Sequence, residues 1–286
     1  MHIVGNILFL FEEKEVGRVM IQNYRKQVKE KRPLIHCITN PISITQCANA
    51  ILAVGARPIM AEHPEEVAEI TETADALLLN LGNITDVRME SMKIAMREAI
   101  AHDIPVVLDV VGVACSKLRR KYIRELIEIG IPKIVKGNYS EIFALERQEY
   151  RSSGVDADRE LSLEEVANSA VKLSKTYKNV ILASGKTDIL TDGKEIIYMK
   201  NGSHQLASVT GTGCMLGALC ACYLSVRPDI YAAASACSIL GISGELAETE
   251  KGPGSFLYNL MDQLYLISEM EIKDRIQMEV QHVERT

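Results

Sequence analysis

The chain has no tryptophan and only four phenylalanines among its 286 residues. Its core must therefore be built mainly from Leu, Ile, Val, Ala and Met side chains. No apolar stretch is long enough to span a bilayer, and the apolar run at residues 3–11 lacks the basic flank of a signal peptide and leads into the charges of residues 12–15. We therefore expect no membrane contact and a cytoplasmic location.

Basic residues are also in the minority, because 32 Lys and Arg face 38 Asp and Glu and give a net charge of −6. This balance argues against nucleic acid as the main partner. The seven cysteines form no CxxC pair and no His/Cys cluster with the spacing of zinc ligands. We interpret most of them as small buried apolar residues of a protein without disulfides.

From Pro33 onward, short runs of Val, Ile and Leu alternate with segments of helical spacing. This alternation predicts an α/β fold with a parallel sheet covered by helices on both faces. The predicted strands are 34–39, 58–60, 75–81, 105–111, 132–135 and 179–184, and Asp192-Gly193 predicts a hairpin between 188–191 and 195–199. Helices are predicted between the strands and from residue 214 to the chain end, with a surface excursion at 147–160.

The pattern indicates one domain over residues 31–286, preceded at 1–30 by an extension that includes an amphipathic helix from Gly17 to Lys31. Residues 1–19 suggest no role of their own. We therefore expect a chain that starts at Met20 to fold and work like the full one.

The stretch from Val209 to Cys214, Val-Thr-Gly-Thr-Gly-Cys, leads into a helix that is apolar on every face. The first amides of a helix lack partners inside it, and glycines let an anion approach the backbone. The loop is therefore either an anion hole for a phosphoryl group or a simple glycine-rich turn, with Thr210 or Thr212 capping the helix or binding phosphate. It is not a P-loop, because no Gly-Lys-Ser/Thr follows. Cys214 stands at the helix N-terminus, which favours the thiolate.

Polar residues end several predicted strands, where parallel sheets bind ligands. Asp109 is the one charge in the strand 105–111, and a buried carboxylate is costly unless it has a function or a partner. Lys136, Asn138 and Glu141 suit a triphosphate and a hydrated Mg²⁺ ion, although Asn138 and Glu141 could equally form a helix capping box. Together these groups favour phosphoryl transfer from a Mg-nucleotide. The strand-end polar residues are Thr39, Asn40, Asn80, Asn83, Asp109, Lys136, Asn138 and Ser184.

The sequence resembles the hydroxyethylthiazole kinase family of the ribokinase-like superfamily. The resemblance covers nearly the whole chain and is carried by the segments 34–40 (LIHCITN), 52–61 (LAVGARPIMA), 136–138 with Glu141, 209–214 and 251–256 (KGPGSF). It implies a three-layer ribokinase-like fold and a homotrimer with active sites at subunit interfaces. It also implies a thiamine-salvage kinase that uses ATP and Mg²⁺ to phosphorylate 4-methyl-5-(2-hydroxyethyl)thiazole at its hydroxyl.

The resemblance also implies site residues by position. The catalytic positions are Cys214, where the wider superfamily has an Asp base, Gly211 and Gly213. The positions that it implies for binding the thiazole alcohol are Met60, Gly211 and Asn40. Those implied for ATP are Lys136, Ser184 and Asn138, and those near the metal and phosphates are Asp109 and Glu141. The family pattern has Arg where Lys136 stands and Thr at the positions of Ser184 and Asn83, and Val110-Val111 and Ala114 also depart from it.

The sequence leaves three other functions open. One is a kinase for another heterocyclic alcohol, such as hydroxymethylpyrimidine or pyridoxal, which the segment 36–40 and Met60 disfavour. The second is a non-catalytic ligand sensor, which the missing Asp base favours. The third is a dehydratase that reuses the nucleotide pocket of the same scaffold.

Overall fold

The structure is a computed structural model that describes residue 17, residues 19–147 and residues 161–283. Residues 1–16 and most of the predicted excursion at 147–160 lie outside this part. The strands are β1 Leu34–Ile38, β2 Arg57–Ile59, β3 Ala76–Asn80, β4 Val106–Asp109, β5 Ile134–Asn138, β6 Val180–Ser184, β7 Asp188–Thr191, β8 Glu195–Met199 and β9 Met278–His282.

Helices cover this sheet, and the first of them, α1, spans residues 19–31. The others are α2 Ile44–Ala53, α3 Val67–Glu72, α4 Asp86–Ala101, α5 Lys117–Ile129, α6 Tyr139–Glu146, α7 Leu163–Tyr177, α8 Thr212–Leu224, α9 Ile230–Leu246, α10 Pro253–Leu266 and α11 Glu269–Arg275. Among the described residues, no helix combines the length and the hydrophobicity needed to cross a membrane.

All described strands form one sheet in the order β2-β1-β3-β4-β5-β6-β7-β8-β9. The pairs from β2 to β6 are parallel, and the pairs from β6 to β9 are antiparallel. The predicted α/β fold with a mostly parallel sheet is therefore confirmed, and so is the hairpin between β7 and β8.

Two hydrophobic clusters lie on opposite faces of the sheet and give it three layers. Because neighbouring residues of a strand point to opposite faces, Leu78 joins the cluster with α8 and α9, whereas Leu77 joins the one with α4 and α5. Burying a Leu side chain stabilises the fold by about 1.5–3 kcal/mol. Helix α1 contributes Ile21 and Val28 to the first cluster, and the proposed domain start at residue 31 stays a prediction.

The C-terminal part of the chain differs from the prediction. Helices were expected to continue to the end, but β9 pairs antiparallel with β8 and extends the sheet. Met278 and Val280 are buried, and the residue between them is only half-buried. This alternation is the signal of a strand with one buried face, so the prediction was wrong although the sequence carries the pattern. The helix predicted at 64–74 is also shorter, at Val67–Glu72.

Candidate active site

The carboxyl ends of the central strands bring four polar side chains together. In the sheet register Asn80 lies opposite Asp109, and Asp109 lies opposite Lys136. Asn40 follows β1, which is the neighbour of β3 on the other side. All four residues are buried, with exposures of 5% or less. Strand-end placement therefore predicted correctly that these residues meet at one edge of the sheet.

A continuous chain of hydrogen bonds joins these four residues to Cys214. Nζ of Lys136 lies 3.2 Å from both carboxylate oxygens of Asp109, and Nδ2 of Asn80 donates to Oδ2 of Asp109 at 2.8 Å. Nδ2 of Asn40 donates to Oδ1 of Asn80 at 3.2 Å and to Sγ of Cys214 at 3.4 Å. The network reaches from the predicted ATP residue Lys136 to the predicted catalytic residue Cys214.

Electrostatics keep the buried pair of Asp109 and Lys136 charged near neutral pH. Burial raises the pKa of Asp109 to about 6, although the ammonium of Lys136 and the amide of Asn80 favour the carboxylate. Burial also opposes the charge of Lys136, but the carboxylates of Asp109 and Glu141 outweigh it, so the pKa of Lys136 is raised. Removing one member of this buried ion pair would strongly destabilise the folded protein, because the other charge would be left buried without its partner.

Helix α8 begins beside this pair. Its N-cap is Gly211, whose φ of 91° suits glycine and which offers no side chain to the first amides. The hydroxyl of Thr212 donates instead to the carbonyls of Leu206 and Val209, at 3.0 and 3.4 Å. Of the two roles considered for Thr210 and Thr212, the capping role is therefore wrong, and binding of a phosphate oxygen stays a prediction. The first amides of α8 keep the donor capacity of an uncapped helix N-terminus.

Lys136 lies directly next to that first turn. A Cβ atom placed on Gly213 would be 3.4 Å from Nζ of Lys136. The ammonium therefore reinforces the positive end of the helix dipole at one place. This arrangement suits an anion such as a phosphoryl group.

Glu141 makes the capping box that was the structural alternative for it. Its Oε2 accepts the amide of Asn138 at 2.7 Å, and Oδ1 of Asn138 accepts the amide of Glu141 at 2.9 Å. Its other oxygen, Oε1, accepts the amide of Gly112 at 2.6 Å. Glu141 thus ties the loop after β4 to the start of α6, and both oxygens hold the backbone. A role for Glu141 toward a metal stays a prediction.

Asp109 and Glu141 are the two carboxylates that the resemblance assigns to a metal and the phosphates. Within the described residues, no group of three or more His, Cys, Asp or Glu side chains could hold a metal ion by itself. Mg²⁺ in kinases is usually bound by one or two carboxylates, by waters and by the phosphates of the substrate. The donor set therefore fits a magnesium ion that arrives with a nucleotide.

A cavity of about 670 Å³ opens beside the start of α8. Ser184 and Gly213, both predicted site residues, line it together with Asp188 and Cys237, which the sequence did not single out. Oδ1 of Asp188 accepts the amide of Gly185 at 3.0 Å and so holds the turn after Ser184. Asp is a common residue in turns. Its presence just after Ser184-Gly185 is the sequence signal by which Asp188 could have been singled out.

Two of the three residues predicted for the alcohol, Asn40 and Met60, lie at different depths. Asn40 is buried, and its amide group bonds Asn80, Cys214 and the backbone of its own loop. Met60 follows the edge strand β2, is half-buried and packs against the first hydrophobic cluster. The amide of Asn40 thus contacts Cys214 directly, whereas part of the Met60 side chain stays exposed, and a role of either residue toward the alcohol stays a prediction.

The cysteines follow the prediction with one exception. Five are buried, Cys214 is half-buried, and no disulfide joins any of the seven, all of which lie in the described part of the chain. Cys115 is exposed, although we expected it inside.

The fold is that of the ribokinase-like kinases. A ribokinase-like superfamily protein from Enterococcus faecalis matches 88% of this chain and 95% of its own with a TM-score of 0.62 at 12% identity, which shows the fold alone. The family model of the "Hydroxyethylthiazole kinase family" matches residues 25–270. The chain therefore belongs to the hydroxyethylthiazole kinase family and is a kinase.

Relatives of this family match almost end to end. Hydroxyethylthiazole kinase 2 of Clostridium botulinum (strain 657 / Type Ba4) is 44% identical over 259 residues, which are 89% of this chain and 98% of the relative. Hydroxyethylthiazole kinase of Finegoldia magna is 42% identical over 243 residues, 85% of this chain and 90% of the relative. The solved structure of a hydroxyethylthiazole kinase protein from Pyrococcus horikoshii OT3 has a TM-score of 0.83 at 35% identity and covers 93% of this chain and 99% of its own.

Proposed function

We propose that this kinase transfers the terminal phosphoryl group of ATP to the hydroxyl of 4-methyl-5-(2-hydroxyethyl)thiazole, a step of thiamine salvage. The observation that carries the proposal is the position of Lys136 beside the uncapped first turn of α8, at the side of a cavity of about 670 Å³. Phosphoryl transfer depends mainly on positioning and on electrostatic stabilisation of the phosphates, and this place offers both.

In this proposal the phosphates lie between Lys136 and the first amides of α8. The amides of Gly211 and Gly213 receive the transferring group, and Cys214 accepts the proton of the alcohol. Ser184 and Asn138, opposite each other in the sheet register, line the ATP side.

Met60 supplies an apolar wall for the thiazole ring, and Asn40 serves the alcohol through Cys214. Asp109 and Glu141 would hold the Mg²⁺ ion that comes with ATP, since kinases usually bind it through one or two carboxylates. When bound, this ion neutralises charge on the phosphates.

We further propose a homotrimer with active sites at subunit interfaces, located in the cytoplasm. The half-buried Met60, directly after edge strand β2, supports such an interface, and so does the exposed side chain of Ile42, two residues after Asn40. Sedimentation equilibrium tests the trimer. A monomer with full activity would exclude sites that need two subunits.

A coupled assay of ADP release with three alcohols tests the function. We expect turnover with the hydroxyethylthiazole, at least tenfold lower kcat/KM with hydroxymethylpyrimidine and pyridoxal, and no turnover when EDTA removes the divalent metal. Preference for another alcohol would move the chain to a different substrate. Binding of the thiazole without turnover would indicate a sensor.

A further inference from the structure

The hydrogen-bond chain at the strand ends fixes the orientation of each amide group in it. The ionised carboxylate of Asp109 only accepts hydrogen bonds. Asn80 must therefore turn its NH₂ group toward Asp109, where Nδ2 lies 2.8 Å from Oδ2. Its carbonyl oxygen then faces the other way, and there it accepts the amide of Gly82 at 2.9 Å.

The orientation of the Asn40 amide group is linked to that of the Asn80 amide group. The carbonyl oxygen of Asn80 requires a donor, which is Nδ2 of Asn40 at 3.2 Å. Oδ1 of Asn40 accepts the amides of Ile42 and Ser43, each at 3.1 Å. The same Nδ2 of Asn40 lies 3.4 Å from Sγ of Cys214, so the sulfur atom is an acceptor in this site.

We propose that Asn80 is a positioning residue that, together with the backbone amides of Ile42 and Ser43, holds Nδ2 of Asn40 in the place from which it donates to Cys214. The positioning of Asn40 by Asn80 does not depend on the proposed function. Only its consequence for catalysis rests on the proposed role of Cys214. Asn80 does not touch Cys214, and nothing in the family assignment gives it a role.

The orientation matters because the flipped amide would present an oxygen to the sulfur. The sulfur would then lose its N–H donor, and only a thiol hydrogen could bridge it to Asn40. The flipped amide would also turn its NH₂ group toward the amides of Ile42 and Ser43, which are donors themselves.

The reactivity of Cys214 measures this effect without turnover, because the thiolate is the form that reacts with alkylating agents. The protein is prepared with Cys115→Ser, since Cys115 is the exposed cysteine. The rate of Cys214 alkylation by iodoacetamide is followed by mass spectrometry at one pH near neutrality, without ATP or alcohol. Lys136, which also interacts electrostatically with Cys214, is the same in every variant.

Three variants form a cycle. Asn40→Ala removes the donor, and we expect alkylation to slow by roughly three- to tenfold, as for the loss of one ordinary hydrogen bond. Asn80→Ser, which leaves room for a water beside Asp109, should slow it by a smaller factor, because the amides of Ile42 and Ser43 still hold Oδ1 of Asn40. In the double variant, Asn80→Ser should add no further slowing, because its effect passes through Asn40.

Asn179→Ser is the matched control. Asn179 is also a buried asparagine, and its Nδ2 donates to the carbonyl of Pro132. Both residues lie just before the N-terminal ends of β6 and β5, far from the strand ends that carry the site. It should leave the alkylation rate unchanged, and circular dichroism with urea unfolding checks that each variant folds. If Asn80→Ser has no effect, or if its effect adds in full to that of Asn40→Ala, the proposal is wrong.

The kcat of the same variants separates this proposal from the proposed function. A kcat that falls together with the alkylation rate supports both. A slower alkylation with unchanged kcat supports the positioning role of Asn80 and removes Cys214 from catalysis.

Discussion

Asn40 and Cys214 are 174 residues apart in the sequence, yet Nδ2 of Asn40 lies 3.4 Å from Sγ of Cys214 and donates to it. The sulfur is thus held as an acceptor in the first turn of α8. A carboxylate at this position could accept the same hydrogen bond. The base that we propose at residue 214 therefore does not depend on the chemistry of a thiol.

Removing the thiol should weaken catalysis only moderately. Base catalysis is typically worth about 10²–10⁴-fold, and the loose transition state of phosphoryl transfer needs little early deprotonation of the alcohol. We expect Cys214→Ala to lower kcat by about 10²-fold or less, and Cys214→Asp to work at least as well as the unchanged protein. Steady-state kinetics measure both, with Cys115→Ala as the control of full activity. Complete loss in both Cys214 variants, with the fold intact, would make the thiol itself essential.

Substituting Glu141 by Gln should affect both stability and metal dependence. Each carboxylate oxygen accepts a backbone amide, so the NH₂ group of Gln would face a donor. This predicts a loss of about 1–3 kcal/mol in the free energy of unfolding. If Glu141 also orders the waters of Mg²⁺, half-maximal activity should need more Mg²⁺.

Glu165→Gln is the control for Glu141, because Glu165 forms the same capping box with Ser162 at the start of α7. It should lower stability without changing the Mg²⁺ dependence. An unchanged Mg²⁺ dependence in Glu141→Gln as well would leave Glu141 a structural role only.

Met60→Ala should weaken the binding of only one of the two substrates, the thiazole alcohol. The half-buried thioether offers soft apolar surface at the end of β2, so its loss should raise the KM for the thiazole much more than the KM for ATP. Met92→Ala is the comparison, because Met92 is fully buried in the second hydrophobic cluster and its truncation should cost about 2–5 kcal/mol of stability without selectivity. Equal effects of Met60→Ala on both KM values would indicate a general packing defect.

His36 should make the protein less stable at acid pH. The imidazole is buried, with Nδ1 2.9 Å from Oγ1 of Thr71 and Nε2 2.9 Å from the carbonyl of Ala61. Burial lowers the pKa of His36, and the bond to Ala61 only partly offsets this. Because the unfolded chain then takes up the proton first, the contribution of His36 is present above about pH 6.5 and is lost as the pH falls through the lower folded value.

Urea unfolding at several pH values measures this loss in the unchanged protein and in His36→Gln. Asp109, whose pKa is raised, acts in the opposite direction, but it is present in both proteins and cancels in the difference. The stability of the unchanged protein should fall relative to His36→Gln below about pH 6.5. The same pH dependence in both proteins would show that the pKa of His36 is the same in the folded and the unfolded state, which contradicts the prediction.

The sequence predicted the strands of the parallel sheet because their apolar runs, such as residues 76–79 (ALLL), are buried on both faces and carry a signal independent of context. The capping boxes of α6 and α7 were predictable for a similar reason, since both partners lie three residues apart. Strand β9 was missed because only one of its faces is buried and it pairs with a distant edge.

The site was predictable in its composition but not in its connections. Strand ends placed Asp109 and Lys136 at one edge of the sheet, yet the choice of Asn80 as the partner of Asp109 depends on side-chain packing that no local pattern encodes. One departure from the family pattern has a local reason: Asn83 has a φ of 46°, a conformation that Asn adopts more readily than Thr.

The claim on which the rest depends is that the ATP phosphates bind between Lys136 and the first turn of α8. A crystal structure with a non-hydrolysable ATP analogue, Mg²⁺ and the thiazole alcohol measures this directly. We expect the terminal phosphate within about 3 Å of the first amides of α8 and of Nζ of Lys136, the nucleoside in the cavity lined by Ser184, and the hydroxyl of the alcohol next to Cys214. A triphosphate bound elsewhere, with the start of α8 in contact with neither substrate, would contradict the claim.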